Sequence, residues 1–224
     1  MGPHYCYLTM RDGVRLAVDL WLPPGWSTGD RVPTILLQTR YFRRIRWRAP
    51  ARWLGLSQAM DINHRTRTRM LGAGYAWLDV DARGSGASFG SRPCPWYQDE
   101  VRDGAEVVDW IVAQPWSNGL VGATGISYSG TSAELLLSNR HPAVRAVMPR
   151  FSLFDVYPDV AFPGGLPLRW FTQQWSQANR ALDANAFDDA VSRISRSNAV
   201  GARQWMSDRG WKNAAAWMAL LETE

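Results

Sequence analysis

At 224 residues the chain is long enough to fold as one α/β domain, hiding about 70% or more of its surface. No stretch approaches the ~20 apolar residues that cross a bilayer, and Met1-Gly2-Pro3-His4 lacks a basic run followed by an apolar one, which speaks against a signal peptide or membrane protein. The net charge of +5 is carried almost wholly by arginine, Lys212 being the one lysine, so it reads as a compositional bias and not as a binding surface.

Taken in order, Tyr5 to Leu22 reads as a hairpin, because Arg11-Asp12-Gly13 separates two runs of alternating character. Pro23-Pro24-Gly25 ends it. Pro33 then opens a buried strand, Thr34 to Gln38, that runs out at Thr39-Arg40-Tyr41. From Phe42 to Arg69 the chain is basic and weakly periodic, a long loop with a helix or two. Arg40, Arg43, Arg44, Arg46, Arg48 and Arg52, then Arg65, Arg67 and Arg69, cluster there. A nucleic-acid surface needs a recognisable fold motif beside such a patch, and without one the cluster is read as a solvated loop and helix face. Tyr75 to Val80 is a second buried strand, followed by a glycine loop, Asp81 to Gly90. Residues 99–113 are amphipathic at helical spacing, with Val101, Val107, Val108 and Ile111 on one side and Asp99, Asp103, Glu106 and Asp109 elsewhere.

Trp116 to Gly119 turns the chain into residues 119–141, the stretch around which the rest is organised. An apolar run from Leu120 to Ile126 enters Gly125-Ile126-Ser127-Tyr128-Ser129-Gly130, and a helix-forming run, Ala133 to Ser138, leaves it. Strand, tight turn with a serine at its tip, then helix is the context of a nucleophile elbow. Glycines flanking the serine let strand and helix approach closely. The first helical N–H groups then lie ready to stabilise an anion beside Ser127. The alternative is an ordinary strand–helix turn that contains a serine. Pro142 stops the helix, and Val144 to Met148 is one more strand.

Alternating strands and helices imply a mainly parallel sheet with helices on both faces. Chemistry in such sheets collects at the carboxyl ends of the strands, where Tyr41, the glycine loop and Ser127 all fall. Beyond about Phe151 the chain is rich in Trp, Phe and Ala with little strand propensity, and 181–224 reads as all-helical. Residues 1–150 are thus expected to form a core and 151–224 the start of a helical cap. There is no HExxH and there are no paired cysteines among Cys6, Cys94 and three histidines, so no metal or cofactor is expected. The two distant cysteines read as free thiols of a reducing compartment, hence a cytoplasmic location.

Several stretches together resemble one family: Met10 to Leu20 (MRDGVRLAVDL), Asp81-x-Arg83-Gly84-x-Gly86-x-Ser88-x-Gly90, the Trp110-Ile111…Gln114-x-Trp116…Gly119-x-Val121-Gly122 run, Gly125-x-Ser127-Tyr128-x-Gly130, and Pro163-Gly164-Gly165. They are similar, in the same order, to the cocaine-esterase-like (CocE/NonD) serine hydrolases, which share their catalytic domain with X-Pro dipeptidyl peptidases. The resemblance implies an α/β-hydrolase fold interrupted by a helical cap and followed by a β-sandwich domain. It implies a small-molecule ester or amide or an X-Pro peptide as substrate, with Ser127 as the nucleophile that forms an acyl-enzyme. The oxyanion would be held by the backbone N–H of Tyr128 and the phenol of Tyr41, and Tyr41 as a purely structural aromatic is the alternative. Phe162 and Trp175 fall where the family places aromatic substrate contacts; packing between cap helices is the other reading. The Asp81/Arg83 loop reads as architecture.

A hydrolase of this fold needs Ser, then Asp or Glu, then His along the chain. Asp155, Asp159, Asp183, Asp188, Asp189 and Asp208 follow the serine. His141 is the single histidine that follows it, about 18 Å along the elbow helix at ~1.5 Å per residue. His4 and His64 precede it. The resemblance places the acid and the base beyond the cap. The chain is therefore expected to be the N-terminal part of a hydrolase, with an incomplete sheet, with C-terminal core strands and β-sandwich absent, and inactive as it stands. The alternative is a non-catalytic relic or interaction module on the same fold.

Overall fold

The computed structural model describes residues 2–41, 43, 45–47, 61, 63–184 and 221–223. The chain divides into two compact units, one of Met1–Arg43 with Ile62–Leu153 and one of Arg44–Asp61 with Phe154–Glu224.

Six strands form the sheet of the first unit. β1 (His4–Thr9) and β2 (Arg15–Trp21) make the hairpin, closed by Gly13 N–H donating to the Met10 carbonyl at 2.9 Å with Gly13 at φ 81°. β3 (Val32–Thr39) starts one residue before Pro33. The ladder with the neighbouring strand shifts register between Val32 and Thr34, which is where a residue without an N–H is tolerated inside a sheet. A short β4 (Ile45–Trp47) belongs to the second unit. Helix α1 (His64–Gly72) leads into β5 (Ala76–Asp81), and α2 (Gln98–Ala113) into β6 (Ser117–Ile126). β6 begins at Ser117, so of the expected turn at 116–119 only Trp116 is turn and the rest is already strand. The elbow helix α3 (Tyr128–Leu135) is followed by a 3-10 turn, Leu136–Asn139, and by β7 (Val144–Arg150).

The order is β1-β2-β5-β3-β6-β7, antiparallel through the hairpin and β2–β5 and parallel from β5 onward. Parallel strands bury both faces, and β5 is buried at every position. Leu16, Val18, Leu36, Leu78 and Val80 meet Val107, Val108 and Ile111 of α2 in one core. The carboxyl ends of β3, β5 and β6 deliver Tyr41, the glycine loop and Ser127 in turn.

The buried stripe of α2 is Glu100, Asp103, Gly104, Val107, Val108 and Ile111, a helical spacing that takes in two acids. Asp103 was expected away from the apolar side; it is wholly buried because Arg83 meets it with Nε at 2.6 Å and Nη2 at 2.5 Å. The arginine cluster also departs from expectation. Arg40 and Arg67 are buried, and Arg43 donates to Asp19 and Asp81 at 2.5 Å each. A guanidinium enters a protein interior when carboxylates meet it there, so these three residues are not a solvated face. Arg65 and Arg69 are exposed; Arg46 lies in β4, and Arg44, Arg48 and Arg52 fall outside the described residues.

In the second unit a π-helical turn (Tyr157–Ala161), a 3-10 turn (Pro163–Gly165) and α4 (Arg169–Asp183) follow one another. The expectation of helix throughout 181–224 fails at β8 (Leu221–Thr223), which pairs antiparallel with β4. Residues 185–220 fall outside the described residues.

Candidate active site

Ser127 stands at the tip between β6 and α3 with φ 59° and ψ −119°. A non-glycine residue in this region costs of order 1–3 kcal/mol and persists only where its surroundings impose it. The glycines identify those surroundings. A Cβ on Gly125 would lie 2.2 Å from the Ser129 carbonyl carbon, and one on Gly130 would lie 2.4 Å from the Arg150 carbonyl oxygen. Strand, elbow and β7 are therefore in backbone contact. Ser127 itself is exposed while Tyr128, Ser129 and Gly130 behind it are buried. The Ser127 N–H donates to Arg150 at 3.0 Å, and its carbonyl accepts from Thr131 at 2.9 Å.

Tyr128 is 1% exposed. Its hydroxyl donates to Glu100 Oε1, and its ring stacks on Trp96 with centroids 4.6 Å apart. The ring of Tyr41 meets that of Tyr128 edge-on at 5.8 Å, with the Arg40 guanidinium 6.0 Å from the first ring and 5.8 Å from the second. Backbone anchors hold the Tyr41 segment: Tyr41 N–H donates to Thr39 Oγ1 at 3.1 Å, and Arg43 N–H donates to Asp81 Oδ1 at 2.6 Å. The fold thus brings Tyr41 against Tyr128, 87 residues further on and next to Ser127.

Burial pushes the Glu100 carboxyl up, opposed by the Tyr128 hydroxyl that it accepts. Burial, with the Glu100 charge added, holds the Tyr128 phenol well above its ordinary range. The proton therefore stays on Tyr128. Glu100 was missed by reading apolar residues alone. Its signal was the extension of the α2 stripe, 111, 108, 107, 104, 103, back to position 100.

Phe162 and Trp175 lie in the second unit. Phe162 stacks on Tyr157 at 4.5 Å and Trp175 on Phe171 at 6.3 Å. Both are half-buried.

His141, the histidine that follows Ser127 in the chain, stands away from it. β6 and β7 run parallel, with Val121 beside Val144 and Ile126 beside Arg150. His141 precedes β7, at the end of the sheet opposite Ser127. Its Nδ1 accepts from Ala143 N–H at 3.1 Å and its Nε2 bonds Asp109 at 3.0 Å. His4 is exposed on the outermost strand, and His64 opens α1. Asp155 and Asp159 accept backbone N–H groups of Tyr157, Phe154 and Asp155 in their own turn. Among the described residues no group of His, Cys, Asp or Glu is arranged to hold a metal ion, and no helix is long and apolar enough to cross a membrane.

A mainly parallel sheet with a strained serine between strand and helix defines the α/β-hydrolase class. The chain belongs to the X-Pro dipeptidyl-peptidase (S15) family, whose model matches residues 12–222. It is 55% identical over 207 residues to a Mycobacterium bovis protein whose name marks it as a candidate serine esterase, covering 91% of this chain and 33% of that protein. With the cocaine esterase of a Rhodococcus species it shares 32% identity over 160 residues, 70% of this chain and 25% of the esterase. A CocE/NonD family hydrolase from Staphylococcus aureus superposes with a TM-score of 0.67 at 26% identity, over 81% of this chain and 33% of that one. An α-amino acid ester hydrolase superposes at 0.56 with 25% identity, over 71% and 26%. The chain thus spans about a third of the length of the curated relatives from Mycobacterium that it matches.

Proposed function

We propose that this chain supplies the nucleophile and the oxyanion donors of a serine hydrolase acting on ester or amide bonds. Ser127 Oγ attacks the substrate carbonyl and gives up its proton to a base. The carbonyl oxygen becomes an oxyanion, held by Tyr128 N–H and the Tyr41 phenol, and its collapse expels the alcohol or amine to leave an acyl-enzyme. The acid and histidine come from a longer protein, and the 224 residues alone are inactive. The observation that carries the reading is the exposed Ser127 at φ 59°, wedged between glycines that admit no Cβ. The esterase names of the relatives favour esters over X-Pro peptides. Two free, exposed cysteines support a cytoplasmic location.

A fluorophosphonate probe tests the assignment in the full-length protein. Ser127 should be labelled, and Ser127→Ala should lose both label and turnover. Labelling that survives the substitution overturns it. The second reading, a non-catalytic relic or interaction module, draws on His141, which stands at the end of the sheet opposite Ser127. A full-length protein with neither labelling nor turnover decides for it.

A further inference from the structure

The residue after Ser127 is held by more contacts than a backbone donor needs. Its hydroxyl ends on Glu100, its ring is covered by Trp96, and its carbonyl accepts from Trp96 Nε1 at 3.2 Å and Ser132 Oγ at 3.0 Å. Glu100 is 2% exposed. Its Oε1 takes the Tyr128 hydroxyl, and its Oε2 takes Trp96 N–H at 3.1 Å with Arg92 Nε at 3.8 Å. Both carboxylate oxygens are thus committed to donors. Of the three donors, two belong to Tyr128 and to the tryptophan stacked on it. Burying a carboxylate is costly unless such partners meet it, so its place beneath the elbow needs a reason beyond packing.

We infer that Glu100 is a positioning residue, fixing Tyr128 from beneath so that its backbone N–H keeps its aim at the oxyanion. The Tyr128 ring also sets the Tyr41 ring, by the edge-on contact at 5.8 Å. One buried carboxylate thereby orients both oxyanion donors without touching substrate. The inference rests on the reading of Ser127 as the nucleophile.

Glu100→Gln is nearly isosteric but has one acceptor oxygen and one NH₂ group. Turned to the Trp96 backbone N–H, that NH₂ sets donor against donor; turned to Tyr128, it forces the hydroxyl to rotate from donor to acceptor. Tyr128→Phe removes the hydroxyl and keeps the ring. In the full-length protein each variant should lower kcat about tenfold or more, as small displacements of catalytic groups do, with KM within about twofold. Phenylboronic acid, whose serine adduct is tetrahedral like the transition state, should bind more weakly by the same factor. The double variant should lose no more than the worse single one. Should Glu100→Gln fail to fold, Tyr128→Phe carries the same readouts. Wild-type labelling that does not depend on Ser127 overturns the nucleophile reading, and this inference with it. Labelling at Ser127 with kcat and boronate affinity unmoved in the variants overturns the inference alone, as does a loss confined to KM or to thermal stability.

Discussion

The carbonyl oxygen of Arg150 accepts the Ser127 amide hydrogen at 3.0 Å, and the same oxygen lies 2.4 Å from where a Cβ on Gly130 would stand. The end of β7 thus supports the elbow through backbone alone, leaving no space for a side chain at 130. Gly130→Ala should cost about 1–3 kcal/mol, the usual range for forcing atoms into a packed site, and should also abolish fluorophosphonate labelling. Gly72→Ala is the control, since a Cβ there meets nothing within 4 Å, and it should stay within about 0.5 kcal/mol. Denaturant midpoints of the two variants make the comparison.

Tyr41 touches the Tyr128 ring edge-on. Losing one oxyanion donor lowers kcat by about 10²–10³-fold, so Tyr41→Phe in the full-length protein should do the same with KM little changed. A loss under about threefold would show that the phenol only packs.

Asp103 is wholly buried and meets Arg83 through both carboxylate oxygens. Removing one partner of a buried pair leaves the other charge uncompensated, at about 3–5 kcal/mol. Asp103→Ala should approach that figure at neutral pH. An unfolding midpoint that hardly moves would mean that Asp12 and solvent suffice for Arg83.

Asp12 makes the outer contact to Arg83 at 2.8 Å with its side chain 37% exposed, and Arg83 holds its carboxyl below the ordinary range. An acid with a depressed folded pKa stabilises the fold above its unfolded pKa, near 4, and loses that contribution as pH falls through the folded value. Wild type should therefore exceed Asp12→Asn in stability by at most about 1 kcal/mol above pH ~5, because solvent screens the pair. The difference should vanish on acidification. A difference that persists once carboxylates are protonated would assign it to packing.

Residues 1–224 expressed alone should hydrolyse p-nitrophenyl acetate no faster than their Ser127→Ala form. His141 stands at the opposite end of β7 from the serine with both ring nitrogens bonded. Turnover that depends on Ser127 in this chain would place a base within it, against that geometry.

Local order in the chain was enough to show the strands, the glycine loop and the elbow. These features are set by neighbours: Gly125 and Gly130 flank Ser127 within six residues, and short apolar runs define β3, β5 and β6. It also showed that Tyr41 and Ser127 follow strand ends, from which their convergence was inferred. What only the tertiary structure decided is where charge goes. Arg43 reads as one more surface arginine until Asp19 and Asp81, 24 and 38 residues away, close on it. Glu100 carries no apolar signal, and its burial is decided by Tyr128, 28 residues on, which donates its hydroxyl to it. Apolar periodicity marks burial because water rejects a hydrocarbon wherever it lies in the chain. A charged side chain is buried only when its counter-charge or donor arrives from another element, and that pairing is a property of the fold.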